Sequence, residues 1–301
     1  MQDVLLGAVS LGLLWAMMTI GVYITYSILG VADLTVEGTI TLGAAVSARL
    51  IYAGGNPYLG LALSLAAGLL AGLSTGILHT KLKIPALLSG ILTMIALFSI
   101  NLRVMGKANI SLLRMETIYS PVTRMFGLSK TLSVIIIGTA MCTVIIALLY
   151  WFFGTEIGSA IRATGNNPKM VRAQGIHTDT TIILGLMLSN ALVAVSGAMI
   201  GQAQNYADLQ MGTGAIVIGL ASLIIGEVLF GKRNFFMRLL SMVLGAITYR
   251  IIIALVLKMG MASDDLKLFT ALTVIFALSL PRFKSMWQVM RRSAKGGNQS
   301  C

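Results

Sequence analysis

EIGSAIRATGNNPKMVRAQGIHTDT, residues Glu156–Thr180, is the one long polar and basic interruption in a chain that otherwise reads almost continuously as apolar helix. It carries Arg162, Lys169 and Arg172 around the break Gly165-Asn166-Asn167-Pro168. Asn167 can cap a helix and Pro168 can open one at its first turn. The stretch therefore predicts a helix over 156–163, a turn, and a second short helix over 168–174, lying where bilayer meets water. Gly165, Asn166 and Asn167 are expected in left-handed or turn backbone. Ile157, Ile161, Met170 and Val171 are expected on one side, leaving Arg162, Lys169 and Arg172 free for acidic or main-chain partners. Such a stiff basic elbow is a docking surface for a soluble partner; the plainer reading is a positive loop that only fixes topology.

The flanks of the elbow settle the class. Of 301 residues, 57% are hydrophobic and 11% charged, with mean hydropathy +0.90, whereas soluble domains are about 25% charged. The expected fold is all-α and polytopic. The 32 glycines and 18 methionines suit helices packed closely in lipid, and five prolines leave most helices unbroken. The net charge of +12 is scattered through loops without interleaved aromatics, so no nucleic-acid partner is expected. Cys142 and Cys301 make no disulfide framework, and His177 has no second His or Cys at ligand spacing, so no metal is expected. The N-terminal MQD lacks a basic region, so the first apolar run is expected to stay as a membrane helix.

About 20 apolar residues cross a bilayer. By that measure the chain predicts nine spans: 4–28, 35–53, 58–79, 85–103, 132–153, 181–202, 213–230, 239–257 and 265–281. With the C-terminus cytoplasmic, thirteen of the 22 basic residues fall on the inner side, including the elbow, and seven outside. The long basic segment 104–131 sits outside in this scheme and is expected along the interface. Residues 1–285 form the membrane domain, with the loop 154–180 facing the cytoplasm. Residues 286–301, with Trp287, Arg291 and Arg292, form a tail that meets anionic lipid. Beneath the hydropathy, ADLTVEGTITLGAAVSA from Ala32 resembles ADLQMGTGAIVIGLASLI from Ala207, and ILTMIALFS from Ile91 resembles ALTVIFALS from Ala271. The offsets of 175 and 180 residues enclose an odd number of spans, which predicts an inverted repeat with a substrate path at its interface.

Polar groups inside spans are costly, and hence candidates for that path. Asp33 and Glu37, one helical turn apart, face the same way; helix capping is their plainer role. Arg250 lies near mid-membrane and needs a partner, with Glu37, Glu227 or a helix carbonyl available, and Asn190 is a polar point on an apolar helix. No HExxH and no facing aspartate pair occur, so no enzyme is expected. No GxxxxGK[ST] occurs either, so ATP is not bound by this chain and would be hydrolysed by another.

Four stretches resemble one family spread over nearly the whole chain, the bacterial ABC-importer permeases of the branched-chain amino acid and ribose type. GVADLTVEGTITLGAAVSA matches its early pattern at Asp33, Leu34, Gly38, Gly43 and Ala44. GLLAGLSTGILHTKLKIPALLSGILTM is similar to its glycine-rich helix, basic turn and proline-started helix. RATGNNPKMVRAQGI is the most specific element, and SNALVAVSGAMIGQ with IVIGLASLIIGE completes the likeness. Where the family commonly has paired glycines, this chain has Gly226-Glu227, which leaves the local helix packing open. The resemblance implies a bacterial plasma-membrane subunit that pairs with a second copy or a paralogue. It would receive a small solute, an amino acid first, from an extracytoplasmic binding protein, with some wording similar to the branch served by tryptophan-type binding proteins. It also implies a cytoplasmic ATPase seated on Glu156, Ile161, Arg162, Gly165, Asn166, Asn167, Pro168, Arg172 and Gly175. The alternative from another class is an ion-coupled secondary transporter, for which an inverted repeat and the candidate path residues Asp33, Glu37, Asn190 and Arg250 serve equally.

Overall fold

The structure is a computed structural model that describes residues 2–231 and 234–258, with a few isolated positions beyond. It is almost wholly helical. Helix α1 (Gln2–Tyr23) loosens into a π turn (Ile24–Leu29) and stops at Gly30, whose φ of 68° lets its N–H reach back to the Thr25 carbonyl. Helix α2 (Thr35–Tyr52) follows. Asn56, accepting from the Tyr58 N–H, and Pro57 at the first turn start α3 (Pro57–Thr80). Beyond α4 (Ala86–Met105), strand β1 (Asn109–Ser111) and the short α5 (Ser120–Phe126), Ser129 caps α6 (Lys130–Phe152). The polar loop forms α7 (Glu156–Asn166) and α8 (Pro168–Ala173). The chain then runs through α9 (Thr178–Gln204), strand β2 (Tyr206–Asp208), α10 (Ala215–Phe230) and α11 (Phe235–Lys258).

Helices therefore stand at eight of the nine predicted spans, while 265–281 and the tail lie outside the described residues. Among the described residues six helices, α1, α3, α4, α6, α9 and α11, are long and apolar enough to cross a membrane. The other two fall short for physical reasons. Helix α2 carries Glu37, Arg49 and a run of threonines and glycines that its buried position tolerates, and α10 has only 16 residues.

Helices α1 and α9 form the centre, 67% and 72% buried, whereas α3 and α4 are only 33% and 28% buried and turn leucines and isoleucines such as Leu70 and Ile95 outward. Apolar side chains gain nothing by burial among lipid tails, so close backbone packing must hold such helices together. Gly68, Gly72 and Gly76 of α3 provide it. A Cβ on Gly72 would stand 2.7 Å from Met187 Cα of α9, one on Gly68 2.7 Å from Ala194 Cβ, and one on Gly76 3.0 Å from Ile183 Cγ1. Gly226 resolves the packing question left open above: it abuts Gly245 and Ser241 of α11, so one glycine from each helix brings α10 and α11 together.

The segment 104–131 is folded onto the end of the helix bundle. Strand β1 pairs antiparallel with β2, Ile110 opposite Ala207, and the chain between β1 and α5 folds over the end of α9. Tyr119 Oη donates to the Met199 carbonyl at 3.0 Å, and the Ile118 N–H donates to Gln202 Oε1 at 2.9 Å. Gln202 Nε2 in turn donates to Ser47 Oγ of α2 at 2.8 Å. Ile110, Leu112, Ile118 and Tyr119 are buried beneath this cap.

Candidate functional site

The elbow is built differently from its sequence expectation. Thr155 Oγ1 caps α7 by accepting from the Gly158 N–H at 3.3 Å. The helix then continues to Asn166, three residues beyond its predicted end at 163, so Gly165 and Asn166 are helical. Asn167 alone makes the break, with φ −153° and ψ 89°, and its Oδ1 accepts from the Met170 N–H at 3.1 Å to start α8 behind Pro168. Gly165 is needed for proximity, not for turn freedom. A Cβ there would collide with the Ile28 carbonyl oxygen and come within 2.9 Å of Leu29 Cα, so α7 lies directly on the π turn at the end of α1. Gly175, at φ 81°, does require left-handed backbone and ends α8.

The apolar face also divides. Ile161 and Val171 are fully buried against the bundle, whereas Ile157 and Met170 remain 52% and 46% exposed. The arginines expected to be free hold the elbow in place. Arg162 Nη2 donates to the Phe153 carbonyl at 2.7 Å, and its guanidinium lies 5.6 Å from the centre of the Phe235 ring of α11. Arg172 Nε donates to Thr178 Oγ1 at 2.6 Å, and its Nη2 stands 3.6 Å from Asp179. Thr164 and Thr181 share a 2.8 Å hydrogen bond that joins α7 to α9. Glu156, Ile157, Ser159, Asn166, Asn167, Pro168, Lys169 and Met170 are among the exposed residues of the elbow. A cavity of about 390 Å³ opens beside it, lined by Tyr23, Ser27, Arg162, Asn166, Asn234 and Arg238 among others.

The four intramembrane candidates separate. Asp33 is buried in the turn before α2, its Oδ1 accepting from the Thr35 N–H at 2.9 Å and its Oδ2 from Asn190 Nδ2 at 2.8 Å. Asn190 Oδ1 accepts from Thr39 Oγ1 at 2.7 Å. Thr35, Thr75 and Thr93 extend the network across α2, α3 and α4 at 2.7 and 3.0 Å. Gly90 leaves the space in which this turn meets α4, since a Cβ there would stand 2.8 Å from the Leu34 nitrogen. Sequence reading missed Thr39 and Thr75, although the i, i+4 spacing of Thr35 and Thr39 was the available signal.

Glu37 does not share Asp33's direction. It turns to the start of α10, where its Oε1 accepts from the Gly214 N–H at 3.1 Å, so it caps a helix 177 residues away. Gly212 fits against the Glu37 carbonyl and Thr41. The connection after β2 thus descends along α2, and α10 begins level with the first turn of α2. Among the described residues Arg250 Nε has no hydrogen-bond partner, and its guanidinium lies 4.2 Å from the centre of the Trp15 ring.

The family model described as "Branched-chain amino acid transport system / permease component" matches residues 4–279. A tyrosine transport system permease protein of Clostridioides difficile (strain R20291) is 39% identical over 267 residues, covering 89% of this chain and 88% of that protein. An uncharacterized protein of Rickettsia prowazekii (strain Madrid E) is 31% identical over 282 residues, 92% of this chain and 98% of that one. Among solved structures, a metal-chelate type ABC transporter in an inward-facing conformation is similar at TM-score 0.50 and 15% identity, over 93% of this chain and 85% of that one, a likeness of fold alone.

Proposed function

Since the chain belongs to the permease-component family of branched-chain amino acid transport systems, we propose that it is the multi-pass membrane subunit of an ATP-driven importer for a small amino acid. An extracytoplasmic binding protein delivers the solute and a cytoplasmic ATPase supplies the energy. The observation that carries this reading is the seating of α7. Gly165 sets it on the Ile28 carbonyl, Arg162 ties it to Phe153 and lies over Phe235, and Thr164 ties it to Thr181, so the loop engages α1, α11 and α9 together. A loop held this firmly passes a displacement to the bundle with little lost in bending.

On this reading the ATPase meets the exposed side of the elbow, Glu156, Ile157 and Asn166 to Met170. Ile161, Arg162, Gly165, Arg172 and Gly175 hold it in shape. The elbow and the C-terminus face the cytoplasm of a bacterial cell, residues 1–285 form the membrane domain, 286–301 a lipid-facing tail, and a second copy or paralogue completes the path. The solute is an amino acid by analogy with the tyrosine transport permease.

Two features support nine spans arranged as an inverted repeat. Helix α10 begins 180 residues after α2 (215 − 35) and α11 begins 178 after α3 (235 − 57). Asp33 and Asp208, 175 residues apart, each accept the N–H two residues on, at 2.9 and 2.8 Å. The packing exchanges accordingly, α1 lying on α11 and α9 on α3.

The test is reconstitution of the chain in liposomes with its ATPase and binding protein. Uptake should require all three and ATP. Replacing Arg162 with Ala should leave hydrolysis running while uptake falls. Uptake by the chain alone, driven by an ion gradient, would overturn the proposal.

A further inference from the structure

The cavity of about 380 Å³ between α2, the middle of α4 and the descending connection before α10 combines groups that the structural network does not consume. Glu37 lines it, half buried. A carboxylate offers about four acceptor positions, and the backbone N–H groups of Gly214 and Ile216 engage it without filling them. Asn101 lines it from α4 and is 1% exposed. Its Nδ2 donates to the Gly38 carbonyl at 3.1 Å, but its Oδ1 has no donor among the described residues. A buried amide oxygen left unsatisfied is costly, and such an exception calls for an explanation. Thr41, Ser99 and Thr213 add hydroxyl oxygens, and Phe98 adds an aromatic face. No lysine or arginine is among the lining residues.

The balance of these groups is chemical information. A carboxylate and three hydroxyl-bearing residues line the cavity without a cation, with the unsatisfied amide oxygen buried beside them, so the site suits a ligand bearing several donors and a positive charge. A primary ammonium has three N–H donors and no acceptor. The aromatic ring of Phe98 favours a cation or a second ring over its face.

The depth is suitable. The cavity touches α4 from Met94 to Asn101, the middle of a helix spanning Ala86–Met105, and reaches α2 within its first two turns. By contrast Asp33 and Asn190 satisfy each other, and Arg250 lies over Trp15.

We propose that this cavity is a site within the permease for the ammonium group of its solute, held by Glu37 and Asn101 Oδ1, with Phe98 against an apolar or aromatic side chain. This rests on the importer reading above and names the chemistry that the passage recognises. Selection for an amine thereby occurs twice, once at delivery and once in the membrane.

The test uses the full chain in lipid nanodiscs and three probes of one shape: L-tyrosine, tyramine, which lacks the carboxylate, and 3-(4-hydroxyphenyl)propionate, which lacks the amine. The two amines should bind about tenfold or more tightly than the deaminated acid, the scale of a charge-assisted hydrogen bond. Glu37→Gln keeps the shape and a carbonyl for the Gly214 N–H, and should bring the three to within about twofold of one another. Should that variant not fold, the probe series on the unaltered chain decides alone. Equal binding of all three, or no binding of either amine at millimolar concentration, overturns the proposal. Failure of the importer reading would be seen separately, as uptake that proceeds without the ATPase whatever the probes show.

Discussion

Gly165→Ala separates two opposing effects at one atom. Within an exposed helix the change should stabilise by about 1 kcal/mol, because alanine loses less backbone freedom on folding. Here the new methyl would stand 2.7 Å from the Ile28 carbonyl carbon and 2.9 Å from Leu29 Cα, where carbon–carbon contacts need about 3.5–4.0 Å. Helix α7 must withdraw by about an ångström. Overpacking of this kind costs about 1–3 kcal/mol, so the net effect is a loss of between zero and about 2 kcal/mol. The functional effect should exceed the thermal one, since the withdrawn helix no longer bears on the end of α1. The assay is uptake per ATP hydrolysed in reconstituted liposomes, with thermal unfolding of the same samples, and Ser159→Ala on the exposed side of α7 as the neutral control. Uptake per ATP should fall in Gly165→Ala alone. A variant that melts higher by the helix-propensity gain and couples normally would refute the argument that Gly165 serves proximity.

Other substitutions test other contacts. Asn190→Leu removes the amide donor to the buried Asp33 carboxyl and should destabilise by about 1.5–3 kcal/mol, seen as lost yield of folded protein, while Asp33→Asn should be milder because an amide oxygen can still accept. Asn167→Ala removes the cap of α8 at a cost of about 1 kcal/mol and should speed amide exchange over 168–175 without altering the bundle. Gly72→Leu forces α3 off α9 and should abolish accumulation of the folded chain, because Met187 Cα leaves no room even for a methyl. Arg172→Ala breaks contacts whose side chains are 65% and 40% exposed, so its stability change should stay under about 1 kcal/mol.

Long apolar runs made most of the helices readable, since length and hydropathy alone place α1, α3, α4, α6, α9 and α11. The elbow was readable as far as Asn167-Pro168, where cap and ring chemistry act locally. Its first helix was read too short because Gly165 belongs in a helix only by virtue of Ile28, more than a hundred residues earlier in the chain. The expected common face of Ile157, Ile161, Met170 and Val171 failed for a related reason: the dihedral angles at Asn167 reorient α8, and periodicity within each helix does not carry through the break. Asp33 and Asn190 were each noticed, but a bond across 157 residues leaves no local trace. Glu37 was noticed with the wrong neighbour, since the helix it caps is α10. The paired strands, three residues each, lie in a segment whose composition is that of an ordinary loop.

Helix α9 has contacts at three levels along its length. In its first turn Thr178, Asp179 and Thr181 meet the elbow, at its middle Asn190 holds the Asp33 turn, and near its C-terminal end Met199 and Gln202 anchor the cap. With 27 residues it extends on the order of 40 Å. No proline interrupts it, so it behaves as a push-rod. On the importer reading proposed above, a shift of an ångström imposed at the elbow reaches the capped end with little lost in bending, and a displacement at the cap returns by the same shaft.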